Sequence, residues 1–139
     1  LGIILSSSER IRHYGRMKIE LTRFRVRENA QSIVDEWMQF LNSHAAAVRE
    51  TLEPEQMYVE TIFSETIDGI DYLYWYSVQG EDGSGVEQSD HWLDEKHMQF
   101  WRACIDDTFP AEDLTPRVMM IPERVETAMK PLMTLAERE

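Results

Sequence analysis

One cysteine in 139 residues leaves no partner within the chain for a disulfide and no thiolate set for a zinc site, so Cys104 reads as a small buried packing residue. Long apolar runs are missing as well. The longest, such as Ile3-Ile4-Leu5 and Val118-Met119-Met120-Ile121, span a few residues, far below the ~20 that a membrane-crossing helix requires. A secretory signal would need a basic start and a longer apolar stretch, and neither is present. Cations are scarce, with 14 Lys and Arg against 26 Asp and Glu and a formal charge of -12. The shortage is uneven: residues 1–27 hold 7 of the 14 cations and 2 of the 26 acids, which leaves residues 28–139 at -17. Such a body repels phosphate backbones and anionic lipid, so neither nucleic acid nor membrane is expected as a partner. Arg10, Arg12, Arg16, Arg23, Arg25 and Arg27 could form a short anion-binding strip, but the favoured reading is that they balance acidic neighbours or a partner subunit. No phosphate loop, dinucleotide fingerprint, haem motif, metalloprotease motif or nucleophile elbow occurs, so no cofactor and no metal are expected. A one-domain cytoplasmic protein fits these absences.

What is present centres on Gly69-Ile70-Asp71-Tyr72-Leu73-Tyr74-Trp75-Tyr76-Ser77-Val78-Gln79-Gly80. A pleated strand points Tyr72, Tyr74 and Tyr76 to one face and Leu73 and Trp75 to the other. Residues 1–16 lack periodicity and read as an N-terminal extension. Met17 to Val26 alternates with a change of phase, Ile19 and Leu21 giving way to Phe24 and Val26, which predicts a bulge near Thr22 or Arg23. Asn29 is a helix-cap candidate, and the apolar residues from Ala30 to Leu52 recur at helical spacing up to Pro54. Gln56 to Thr66 reads as a second strand, and Asp68-Gly69 as a tight hairpin turn into the tyrosine strand. The glycine-rich stretch 80–85 is expected to be a mobile loop or lid. Ser89 or Asp90 caps a second helix with the stripe Leu93, His97, Phe100, Trp101, Cys104 and Ile105. Thr115 to Ile121 reads as a fourth strand, and residues 123–139 as a helical tail.

The order β-α-β-β-α-β over residues 17–122 predicts an α+β, ferredoxin-like domain: a four-stranded antiparallel sheet with two helices on one face. Met17-Lys18-Ile19-Glu20-Leu21, Asp35-Glu36-Trp37-Met38, Met57-Tyr58-Val59-Glu60-Thr61, the run Tyr72 to Gly80 and Lys96-His97 together resemble a small uncharacterised bacterial family of unknown function within the dimeric α/β-barrel superfamily. The resemblance implies a homodimer whose sheets face one another, each with a pocket between sheet and helices. Its distant relatives include cofactor-independent monooxygenases, haem-degrading enzymes, chlorite dismutase and rhamnose mutarotase, a breadth that transfers no activity.

His97, on the buried stripe of its helix, is a candidate proton-transfer group, with a semi-buried structural histidine as the alternative. Glu60 is its candidate partner. Glu20, Tyr72, Tyr74, Tyr76 and Trp101 are candidate ligand-binding residues: acids, phenols and flat walls on one sheet face suit a small cyclic molecule. On this reading the protein is a ligand binder or a cofactor-independent isomerase or monooxygenase. The competing reading makes the same aromatic face a dimer interface of a non-catalytic module. The pocket is expected to be lined by Glu60, Tyr74, Tyr76, His97 and Trp101, with the loop 80–85 at its mouth.

Overall fold

The computed structural model describes residues 1–4, 12–14, 17–80 and 83–133, the side chains of 12–14 and 131–133 excepted. The strands are β1 (Arg12–Tyr14), β2 (Met17–Arg25), β3 (Met57–Ile67), β4 (Ile70–Gly80) and β5 (Glu112–Asp113); the helices are α1 (Gln31–Ser43), α2 (Ala45–Leu52), α3 (Trp92–Cys104) and α4 (Glu123–Met133). The protein is α+β, with one antiparallel sheet in the order β1-β2-β4-β3 and with β5 also paired to β2. Among the described residues no helix is long and apolar enough to cross a membrane.

The tyrosine strand is central, as its two-sided apolar pattern predicts, with β2 and β3 as neighbours. Asp68 and Gly69 take φ of 52° and 78°, the left-handed pair that a two-residue hairpin turn demands. β2 pairs with β4 without interruption from Met17↔Gly80 to Arg25↔Tyr72, so the bulge expected near Thr22 or Arg23 is absent. The change of phase instead reflects apolar residues on both faces: Phe24 joins the main core while Ile19 joins a second cluster. The irregularity lies in β3, between Met57 and Val59.

One face of the sheet carries the main core. Phe24, Leu73 and Trp75 pack there against Trp37 and Leu41 of α1 and Leu93, Trp101 and Cys104 of α3. Val48 of α2 and the first residue, Leu1, join the same cluster. The long first helix breaks at His44, where φ of -118° and ψ of 39° leave helical space. Asn29, expected as its cap, sits at φ 64°, and the N-cap is Ala30 without a side-chain bond. α3 is capped by His91, whose Nδ1 accepts from the Leu93 N–H at 3.1 Å, not by Ser89 or Asp90.

The fourth strand is the second correction. Pairing with β2 is confined to Glu112 and Asp113, and residues 115–121 form no strand. The stretch nonetheless alternates, because Met119 and Ile121 pack inward while Val118 and Met120 are 70% and 85% exposed. Alternation reports an extended chain with two faces, and extension does not require a ladder; Pro116, lacking an N–H, opens the stretch. The segment crosses the tyrosine face with α4, where Met129 meets Met17, Ile19 and Val78.

Candidate functional site

Cross-strand register decides which candidates meet. Glu20 and Glu60 both lie opposite Ser77, flanking β4, while Trp75 lies between Thr22 and Ile62. These residues share the helix-covered face. Tyr74 lies opposite Arg23 and Phe63, and Tyr76 opposite Leu21 and Thr61, on the other face with Tyr72. The expected grouping of acids with phenols is therefore corrected: Glu20, Glu60, His97 and Trp101 are on one side of the sheet, the three tyrosines on the other. Tyr74 instead donates its hydroxyl to Glu65, and Arg23 covers the Tyr72 ring at 4.7 Å.

Beneath the sheet a second set of polar residues completes the site. The backbone nitrogen of Leu1 lies 2.7 Å from Thr51 Oγ1 and 2.8 Å from Glu55 Oε1. Asp94 Oδ1 lies 3.3 Å from that nitrogen and Glu60 Oε1 4.0 Å away. Trp75 Nε1 donates to Glu60 Oε2 at 2.9 Å. Trp37 Nε1 donates to His97 Nδ1 at 3.1 Å, which leaves the imidazole proton on Nε2, from where it is donated to the Gly2 carbonyl at 2.9 Å. Trp101 walls the group, its ring 5.1 Å from that of Trp75.

Burial governs the protonation chemistry. Asp94 and His97 are 1% and 0% exposed. Burial pushes Glu55 up to about 7, against the lowering pull of the Leu1 nitrogen, and likewise raises Glu60, which that nitrogen, Trp75 and the Gly2 backbone only partly offset. It lowers His97 to about 4, so the imidazole is neutral near pH 7 and both nitrogens are committed. Among the described residues, Glu60 Oε1 and both carboxylate oxygens of Asp94 have no hydrogen-bond partner, the nearest nitrogen being that of Leu1, 4.0 Å from Glu60 Oε1 and 3.3 Å from Asp94 Oδ1. Glu55, Glu60 and Asp94 thus bring three carboxyls together beneath the sheet.

Next to this cluster lies a cavity of about 280 Å³, lined by Glu20, Glu55, Glu60, Trp75, Ser77 and Gln79, with Gly2 and Ile3 as one wall. Lys18 reaches it, and Gly83, Ser84 and Gly85 form part of its rim. Of the loop 80–85, Gly83, Ser84 and Gly85 border this cavity, which shares only Glu60 with the lining expected from the sequence; residues 81 and 82 lie outside the described residues. Glu20 is also raised, by burial first, with Lys18 opposing and Asp113 assisting. Among the described residues no group of three His, Cys, Asp or Glu is arranged to hold a metal ion.

Glu55, Asp94, Thr51 and Trp37 escaped sequence reasoning. Asp94 carried a usable signal: positions 94, 97 and 101 share one helical stripe, so an acid sits with His97 and Trp101 on the buried side. Glu55 carried none, because Pro54-Glu55-Gln56 has the composition of an ordinary turn. Its burial follows from Gln56, where a φ of 51° turns the chain and the carbonyl accepts from the Gly80 N–H at 2.9 Å.

Comparison with known proteins supplies a family and no activity. The chain belongs to the family of unknown function DUF6176, whose model matches residues 17–127. No curated protein and no solved structure matches it.

Proposed function

We propose that this family member is a small-ligand-binding protein, and that its ligand is an organic cation of amine type held by the acids beneath the sheet. The observation that carries the proposal is the group of acids beneath the sheet: Glu20, Glu55 and Glu60 line one cavity, and Asp94 lies close enough to raise Glu55 further. A buried carboxylate without a partner is expensive to keep. A cation in the adjoining cavity would restore what burial removes from Glu20, Glu55 and Glu60, whereas phosphorylated ligands would be repelled. The expectation of a cyclic ligand lined by tyrosines has no support in this arrangement. If a proton moves on a bound amine, Glu55 at about 7 is better matched to neutral pH than His97 at about 4.

Titration of the full chain with 1,4-diaminobutane, followed by the indole N–H resonance of Trp75, tests this reading. Saturable shifts are expected, with at least tenfold weaker binding in Glu60→Gln and none for 1-butanol. Equal binding of the alcohol, or of the amine by Glu60→Gln, would dismiss the site.

The second reading concerns the opposite face, and its occupant is a second copy of this chain. Val59, Phe63 and Ile67 of the edge strand β3 are 40%, 54% and 40% exposed, and an apolar row beside an unpaired edge suits a twofold partner, as the resemblance to dimeric barrels implies. Light scattering should give twice the chain mass, and Phe63→Lys should give the monomer mass. A monomer at micromolar concentration would end this reading and leave the amine site untouched.

A further inference from the structure

We propose, resting on the amine-site reading, that the ligand is a zwitterion: an ω-amino acid whose amine lies between Glu20 and Glu60 and whose carboxylate lies against Lys18 and Gln79. The cavity beneath the sheet is built in rows across three strands, and neighbouring rows differ in charge. Glu20 of β2, Ser77 of β4 and Glu60 of β3 form one row, and Lys18, Gln79 and Met57 form the next. All six line the cavity, and among the described residues that line it Lys18 is the only cation. The acid row also holds an unsatisfied atom. Glu60 has a side chain only 3% exposed, and among the described residues its Oε1 has no hydrogen-bond partner.

Charge orients the ligand. A buried carboxylate oxygen left unanswered is costly, so Glu60 Oε1, with Glu20 across Ser77, calls for a cation. Burial raises the Glu20 pKa, and Lys18 is near enough to oppose that rise. The same ammonium would repel the far end of a diamine, and a monoamine would leave that end of the cavity unused. A carboxylate there is met by the Lys18 ammonium and by the side-chain amide N–H groups of Gln79. Length follows from the pleat. Successive residues on one face of a strand stand about 6.7 Å apart, so an amine over Ser77 and a carboxylate over Gln79 belong to one molecule only when several methylenes separate them. An α-amino acid, with one carbon between its charged groups, reaches one row and not both. Met57 and Trp75 supply apolar wall for the methylenes.

The test titrates the full chain at neutral pH with 4-aminobutanoate, its isomer 2-aminobutanoate, butylamine and 1,4-diaminobutane. Binding is read from the indole N–H resonance of Trp75, which donates to Glu60. 4-Aminobutanoate should bind at least tenfold more tightly than each of the other three, and Lys18→Met should bring it down to the affinity of butylamine. Equal affinity for the two isomers overturns the spacing and with it the proposal. Equal or tighter binding of butylamine or 1,4-diaminobutane, or 4-aminobutanoate binding unchanged in Lys18→Met, overturns the zwitterion while leaving an amine site in place. No response to any of the four removes both readings. Should Lys18→Met fail to fold, Lys18→Gln takes its place, and the ranking of the four probes on the unaltered chain decides the proposal without either variant.

Discussion

The two faces of the sheet invert the usual allocation of residues. The helix-covered face holds Glu60 with a side chain 3% exposed together with Asp94 and His97. The tyrosine face, open along β3, exposes Phe63, Val59 and Ile67. Folding stability alone would favour the reverse, since buried acids cost several kcal/mol each unless partnered and exposed apolar rows invite association. Under the proposed function both anomalies serve recognition, with a cation for the inner face and a second copy of the chain for the outer one. The difference also separates their energetics, because the inner face is packed and dry while the outer face works through weak contacts such as Arg23 over Tyr72.

The sharpest way to break the comparison is to remove one large side chain from the inner face. Trp37 is fully buried, stacks 8° from parallel on Phe100 with centroids 6.2 Å apart, and supplies the hydrogen bond to His97 Nδ1. Trp37→Ala should cost about 3–5 kcal/mol, read as a lower urea midpoint at unchanged slope. A loss below about 1 kcal/mol would mean that the inner face is not the packed one.

Much of this division was legible in advance and its central fact was not. The period-two run from Tyr72 to Val78 announced a two-faced central strand, and the stripe of α3 placed His97, Trp101 and Cys104 inside. Which face of β4 met the helices was undetermined, because alternation fixes which residues go together and not where they go. The β3 irregularity between Met57 and Val59 made the extrapolation worse: Met57 and Val59, two apart, line cavities on opposite faces. Once Glu60 is seen opposite Ser77 the site assembles, but that pairing joins separate stretches of chain, and Asp94 lies further along the chain still.

Proton linkage gives the next largest effect. Glu55 is held near 7 in the folded chain against 4.5 for the free group, so the native state binds the extra proton and stability falls as pH rises through about 7. His97 is held near 4 against 6.5, so the unfolded state binds the extra proton and stability falls as pH drops through about 4. Between 4.5 and 6.5 the two slopes oppose, and each reaches at most about 1.4 kcal/mol per pH unit when alone. Urea midpoints should therefore trace a dome, with Glu55→Gln flattening the side at pH 6.5–7.5 and His97→Gln flattening the acid side.

Neutralising one acid distinguishes a recognition site from a structural ion pair. Removing one partner of a structural buried pair costs about 3–5 kcal/mol. With Glu55 and Glu60 close by, Asp94→Asn relieves like-charge crowding and should instead raise stability by about 1 kcal/mol, the usual exchange of function for stability at a site. A thermal midpoint several degrees lower than the parent would assign Asp94 to the structure alone.

The smallest expected effect belongs to the outer face. Arg25 places its guanidinium 3.7 Å from the centre of the Phe109 ring, a cation over the face of a ring that is 44% exposed. Contacts of this kind are worth about 0.5–1 kcal/mol in water, since the guanidinium keeps much of its hydration and the ring gives up little. Arg25→Lys should lose most of that, because an ammonium does not stack as a planar guanidinium does, while Arg25→Met should keep the apolar contact and lose the electrostatic part. The expected loss for Arg25→Lys is about 0.5 kcal/mol by urea denaturation. A loss above about 2 kcal/mol would place Arg25 in an interaction as consequential as those beneath the sheet, and the contrast between a dry, committed face and a wet, loosely held one would no longer describe this protein.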